Sequence, residues 1–131
     1  MSEGPENRGA EHVFDEGKPY DLEERTFRFA KDVRGYMKSI PNSIGHHEDV
    51  RQLIRASGSV AANFIEAVEA LGGKDKLYKF KTSRKETKEA RLWLRLLSVE
   101  GENHLEPIRD SLVNEATELM KILGAIVRKY E

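Results

Sequence analysis

A chain of 131 residues, 38% hydrophobic and 34% charged, suits one domain with one core. It has no cysteine, which excludes disulfides and thiolate metal sites, and no apolar run nears the roughly 18 residues of a membrane span. The net charge of −1 is unevenly placed. Residues 1–20 carry −3 (Glu3, Glu6, Glu11, Asp15 and Glu16 against Arg8 and Lys18), and −1 minus −3 leaves +2 for the body.

Residues 1–20 are rich in Gly, Glu, Asn and Pro without a helical or strand period, and predict a mobile acidic arm ahead of a domain over 21–131. The start MSEGPENRGAEH has no basic segment followed by an apolar block, so a cytoplasmic location is the default expectation. The first helix is predicted over 21–39. Asp21 is a good N-cap with Glu24 three residues on, and Leu22, Thr26, Phe29, Val33, Tyr36 and Ile40 form one stripe that Phe27, Ala30 and Met37 widen. Pro41, Asn42, Ser43 and Gly45 then break the chain.

The second helix is predicted over 47–71, with Val50, Leu53, Ser57, Val60, Phe64 and Leu71 inward and Ile54, Ala61, Ile65 and Val68 beside them. Its middle, residues 56–62, is made of small side chains that allow a neighbouring backbone close, and Gly58 costs about 1 kcal/mol against alanine. Gly72 and Gly73 are expected to end it in a left-handed cap. The third helix, over 74–99, is the most charged; Leu77, Phe80, Arg84, Thr87, Ala90 or Arg91, Leu94 and Leu97 mark its inward side, and Gly101 stops it. The fourth, over 105–129, tolerates Pro107 in its first turn and carries Ile108, Leu112, Ala116, Leu119, Ile122 or Leu123, and Ile126 inward.

Four helices of roughly 19 to 26 residues, about 30 to 40 Å each, joined by short connections, predict an all-α, antiparallel up-and-down four-helix bundle. No segment alternates with period two as a strand does.

Little here resembles catalytic chemistry. A di-metal bundle needs Glu-x-x-His pairs on facing helices, whereas His12, His46, His47 and His104 fall in or beside predicted loops. No serine stands in a nucleophile elbow, and the run Leu71 to Asp75 lacks the frame of a phosphate loop. No cofactor and no enzymatic activity are expected. Asn63, Glu66, Arg84, Glu86 and Glu89 lie on inward-leaning positions of the second and third helices. They read as a structural polar network that fixes helix register rather than an active site.

The strongest functional signal is basic. Between Lys74 and Arg95 nine cations face three acids (Asp75, Glu86, Glu89), a segment charge of +6. Lys74, Lys81, Lys85 and Lys88 fall near one helical face with Tyr78 close by, and Arg84 joins them as a candidate phosphate contact. Two readings of this face stay open: a phosphate-binding surface, and an ordinary solvated face balanced by acids such as Glu115 and Glu118. Assembly of several copies favours the first, because a ring repeats the patch.

Three stretches carry a resemblance: Asp21-Leu22; Ser57-Gly58-Ser59-Val60-Ala61-Ala62-Asn63-Phe64-Ile65-Glu66-Ala67; and Lys85-Glu86-Thr87-Lys88-Glu89-Ala90-Arg91-Leu92-Trp93-Leu94-Arg95-Leu96-Leu97. Leu112, Glu115-Ala116, Glu118-Leu119, Ile122 and Ile126 continue it. Over about residues 21–130 the chain resembles the bacterial four-helix-bundle family that includes proteins encoded in intervening sequences of 23S rRNA genes and the accessory variability protein of diversity-generating retroelements. The resemblance implies a homopentameric barrel. For the retroelement members it implies nucleic-acid binding through basic surfaces and contact with a reverse transcriptase. Two departures favour a straighter second helix here: Ala61 where the family often has proline, and Ala67 where it often has glycine. The expectation is therefore a non-enzymatic oligomeric scaffold that binds RNA or an RNA–DNA hybrid through the third helix. The alternative is a protein–protein adaptor without a nucleic-acid role.

Overall fold

The computed structural model describes residues 22–41, 44–97, 99 and 102–131, with the side chains of 44–46 excepted. The acidic arm, the Asp21 cap, Asn42, Ser43 and Gly101 lie outside the described residues. Four helices follow in order: α1 Leu22–Met37, α2 Ile44–Glu69, α3 Gly73–Leu96 and α4 Glu106–Tyr130. Among the described residues there is no strand.

Each helix is placed by one apolar stripe. In α1 the buried residues are Leu22, Thr26, Phe29, Val33 and Tyr36, at alternating spacings of four and three. Phe27 is 50% exposed rather than part of that stripe, because one residue past Thr26 it stands about 100° round the helix. In α4 the stripe is Leu112, Ala116, Leu119, Leu123, Ile126 and Val127. Ile108, expected to extend it, is exposed in the first turn.

Core contacts fix the chain directions. Leu22 at the start of α1 clusters with Phe64 and Ala67 late in α2, Phe80 early in α3, and Leu123 and Ile126 late in α4. At the other end, Tyr36 and Leu53 cluster with Leu97, Leu105 and Leu112. Successive helices therefore run antiparallel, as an up-and-down four-helix bundle requires.

Between the two apolar clusters lies a waist of small polar side chains, Thr26, Ser57, Ser83 and Thr87, all fully buried. Every hydroxyl there donates to a backbone carbonyl: Thr26 to Leu22 (2.9 Å), Ser57 to Ile54 (3.1 Å), Ser83 to Val60 (2.8 Å) and Thr87 to Ser83 (2.8 Å). Burial without an unmade hydrogen bond is thus inexpensive. The Ser83 bond crosses from α3 to the α2 backbone, the close approach that the small residues of α2 permit. Ser83, not the exposed Arg84, takes the inward position beside Phe80, Thr87, Ala90 and Leu94; spacing alone allows either, and the bond to the Val60 carbonyl holds Ser83 there.

The connection between α2 and α3 differs from the expected left-handed cap. Gly72 is extended (φ −100°, ψ 149°) as the N-cap of α3, and Gly73 is already its first residue. The end of α2 is closed instead by Lys76, whose Nζ donates to the carbonyls of Ala67 (2.7 Å) and Val68 (3.1 Å). A cation at a helix C-terminus satisfies exposed carbonyls and favours the helix dipole, so no left-handed glycine is needed. With α2 ending at Glu69, Leu71 leaves the stripe and is fully exposed.

Candidate nucleic-acid interface

The nine cations of residues 74–95 divide by what they touch. Lys76 caps α2. Lys79 pairs with Glu66 at 2.7 Å, and this hydrogen bond to the carboxylate raises the ammonium above its ordinary pKa. Arg91 donates to Thr117 Oγ1 on α4 at 3.1 Å. These three are occupied with holding α3 to its neighbours.

The others line the outer side of α3. Lys74, Lys81, Lys88 and Arg95 recur every seven residues, about 10 Å apart along the helix, and Lys85 stands among them. All five are exposed, as is Arg84. Lys81 has one distant acid, Glu131, at 3.9 Å. Lys74, Arg84, Lys85, Lys88 and Arg95 have no ion pair among the described residues. Gly124 on α4 leaves space beside Arg84, since a Cβ built there would be 3.6 Å from Arg84 Nε. Tyr78, 63% exposed, sits in the same row with Lys79 Nζ 6.0 Å from its ring centre. Arg95, seven residues after Lys88, extends the row beyond the Lys74, Lys81, Arg84, Lys85 and Lys88 expected from the sequence.

Two acids of α4 expected to balance this face turn to other cations. Glu115 accepts two bonds from Arg25 of α1, at 2.7 and 3.0 Å, and Glu118 stands 3.7 Å from Lys121 in its own helix.

The five residues of the expected polar network do not meet as one group. Glu86 and Glu89 share Arg55 of α2, at 3.4 and 2.7 Å. Burial works against the Arg55 charge, yet the two carboxylates outweigh it and hold its pKa above the ordinary value. Glu66 pairs with Lys79, and Asn63 donates to the Ser59 carbonyl of its own helix at 2.9 Å. Arg84 faces outward, apart from all of these. Arg55 is the residue that sequence reasoning missed. Its signal in the sequence is its place three helical turns before Glu66, whose partner Lys79 also lies on α3.

Among the described residues, no three His, Asp or Glu side chains gather as a metal site. His47 lies in the first turn of α2 and His104 in an exposed turn; His12 and the His46 side chain lie outside the described residues. No described helix is long and apolar enough to cross a membrane. An open groove between α1 and α4 holds two pockets of about 470 and 650 Å³ that share Asp32, Ser111 and Leu112. It contains no nucleophile paired with a base.

The described residues define a class: a four-helix bundle with a packed interior and an outer row of exposed cations on its third helix. Residues 19–125 match the sequence profile of the 23S rRNA-intervening sequence protein family, and the chain belongs to that family. A crystal structure from Bacteroides thetaiotaomicron, described as a protein of unknown function from the S23 ribosomal protein family, is similar to it. That similarity has a TM-score of 0.71 at 27% identity, over 81% of this chain and 97% of the other. No curated protein matches the chain.

Proposed function

We propose that this protein is a non-enzymatic, oligomeric scaffold that binds RNA or an RNA–DNA hybrid through the outer row of α3. One observation carries the reading. Lys74, Lys85, Lys88 and Arg95 are exposed without an ion pair among the described residues, while Glu115 and Glu118 are held by Arg25 and Lys121. A row of cations about 10 Å apart suits a polyanion better than a single small anion. Tyr78 in that row offers a face on which a base can stack.

Self-association belongs to the same reading. Phe27, Ile65, Leu92 and Leu96 are 41% to 54% exposed, more large apolar surface than a lone bundle needs. Light scattering tests it: a 15.0 kDa species opposes assembly, and about 75 kDa matches a pentamer.

Binding of a fluorescently labelled single-stranded RNA tests the main reading. Four phosphate contacts per protomer give a slope of log K against log salt of about −3. Lys81→Glu with Lys85→Glu abolishes binding at low salt while leaving the helical content unchanged. Absence of binding by the unaltered protein, or binding indifferent to the double variant, overturns the reading in favour of a protein–protein adaptor.

A further inference from the structure

The seam between α3 and α4 treats two arginines differently. Arg91 of α3 donates to Thr117 Oγ1 of α4 at 3.1 Å. The helices are antiparallel, so seven residues back along α3 and seven forward along α4 bring Arg84 to Gly124. The register is the same, yet the partner differs. Where Thr117 offers a hydroxyl, Gly124 offers bare backbone.

A second guanidinium comes to the same place. The point that a Cβ would take on Gly124 is 3.6 Å from Arg84 Nε and 3.7 Å from Arg128 Nη1. Gly124 is buried, whereas both arginines are exposed. Two cations from two helices thus close over one spot and keep donors facing water. Neither has an ion pair among the described residues. Glu131, at the end of α4, turns to Lys81 at 3.9 Å, and Glu118 stands 3.7 Å from Lys121. Like charges over one point repel, and glycine inside a helix costs stability, so packing alone gives this arrangement little support.

A compact anion of charge two suits it. A guanidinium presents paired N–H donors to oxygen anions, and two of them together match the several oxygens of one phosphate. A phosphate monoester carries nearly two negative charges at neutral pH, whereas a phosphodiester inside a nucleic-acid chain carries one. We propose that Arg84 and Arg128 form a seat for a phosphate monoester at the α3–α4 seam. The seat stands on geometry and charge; its use by a nucleic acid rests on the reading of the α3 row as a nucleic-acid surface. Arg84 lies on α3 with Lys81, Lys85 and Lys88, and Arg128 lies off that helix. A strand lying along the row therefore places its end phosphate in the seat; free phosphate is the other source of the same chemistry.

Two measurements on the full chain test this. In the first, inorganic phosphate is titrated into nitrogen-15-labelled protein at constant ionic strength, and the arginine Nε–Hε signals are followed by NMR. Arg84→Gln and Arg128→Gln assign the two signals. Both are expected to shift along one saturating curve, while those of Arg28 and Arg95 stay near their starting values. Gly124→Asp, which sets a carboxylate between the guanidiniums, is expected to abolish the response with both arginines in place. Shifts spread evenly over the four arginines, or a response unchanged in Gly124→Asp, overturn the seat.

In the second, three RNAs of one sequence with an internal fluorophore end in a 5′-hydroxyl, a 5′-phosphate or a 3′-phosphate. An end phosphate is expected to tighten binding about 5-fold, and Arg84→Gln with Arg128→Gln to remove that preference while the hydroxyl-ended RNA still binds. Equal binding of all three RNAs, or a preference that survives the double variant, overturns end recognition and leaves the row as a phosphodiester surface. A saturating response to inorganic phosphate in a protein that binds none of the RNAs leaves the seat standing with free phosphate as its ligand. That outcome overturns the nucleic-acid reading instead.

Discussion

The guanidinium of Arg34 lies over the bare backbone of Gly58, so close that a Cβ at that position would stand 3.1 Å from Nη2. From α1 this side chain donates to Ser57 Oγ and to the Ile54 carbonyl, each at 3.2 Å, and to Ala30 of its own helix at 3.0 Å. The small residues of α2 thus serve two neighbours: Arg34 of α1 on one side and Ser83 of α3 on the other.

Gly58→Ala therefore sets helix propensity against a small displacement. Alanine gains about 1 kcal/mol in a helix interior, and the crowded atom is the end of a long side chain whose cross-helix bonds are already lengthy. The expected result is a net stabilisation of about 0.5 kcal/mol in urea unfolding. Gly58→Leu displaces Arg34 altogether and is expected to cost about 1–2 kcal/mol.

Arg55 and Glu66 separate in their effects on stability. Glu86 is buried to 8% exposure and turns to Arg55, so Arg55→Ala leaves a carboxylate without its partner at the α2–α3 interface. Allowing for the half-exposed position of Arg55, the expected cost is about 1–2 kcal/mol, seen as a lower thermal midpoint. Glu66 is more than half exposed, and Glu66→Ala is expected to leave the midpoint nearly unchanged. A large drop in the second variant and none in the first contradicts this assignment.

Lys76→Ala is expected to loosen the last turn of α2, at a cost of about 1 kcal/mol, because two carbonyls lose their donor. Hydrogen exchange checks it: protection falls at the Ala70 amide, which donates to Ala67, while mid-helix amides stay protected. RNA affinity changes far less than in the Lys81 and Lys85 variants, since Lys76 lies beneath the row rather than on it.

Tyr36 is buried in the core with a hydroxyl that has no hydrogen-bond partner among the described residues. Tyr36→Phe removes this unmade bond with little change of shape, and is expected to raise stability by about 1 kcal/mol at neutral pH. Burial also raises the phenol pKa, with Arg109 opposing and Asp110 assisting. A raised folded pKa means a contribution fully present below the unfolded value near 10, and lost as pH climbs through the folded value. The advantage of Tyr36→Phe should therefore widen above about pH 10, measured by thermal melts across that range.

Helix positions and inward stripes were legible because both are local. Residues such as Leu22, Thr26, Phe29, Val33 and Tyr36 declare a face through the 3.6-residue turn alone, whatever packs against them. The basic character of α3 was legible for the same reason. Spacing loses its force where locality ends: Phe27, Leu71, Arg84 and Ile108 fit the inward period yet are exposed, each at a stripe edge or a helix end. There a rotation of some tens of degrees, or two residues of helix length, decides exposure.

Partner choice was decided by the tertiary structure. That Glu86 meets Arg55, that Glu115 meets Arg25 and so leaves the α3 row unbalanced, and that Lys76 rather than a left-handed glycine closes α2 all depend on the axial register of one helix against another. Register is set by how the side chains of both helices interlock, including the Ser83 contact with the Val60 carbonyl, and no single helix records it. The sequence by itself determined four amphipathic helices and a segregated charge; packing determined which of those charges were left facing outward.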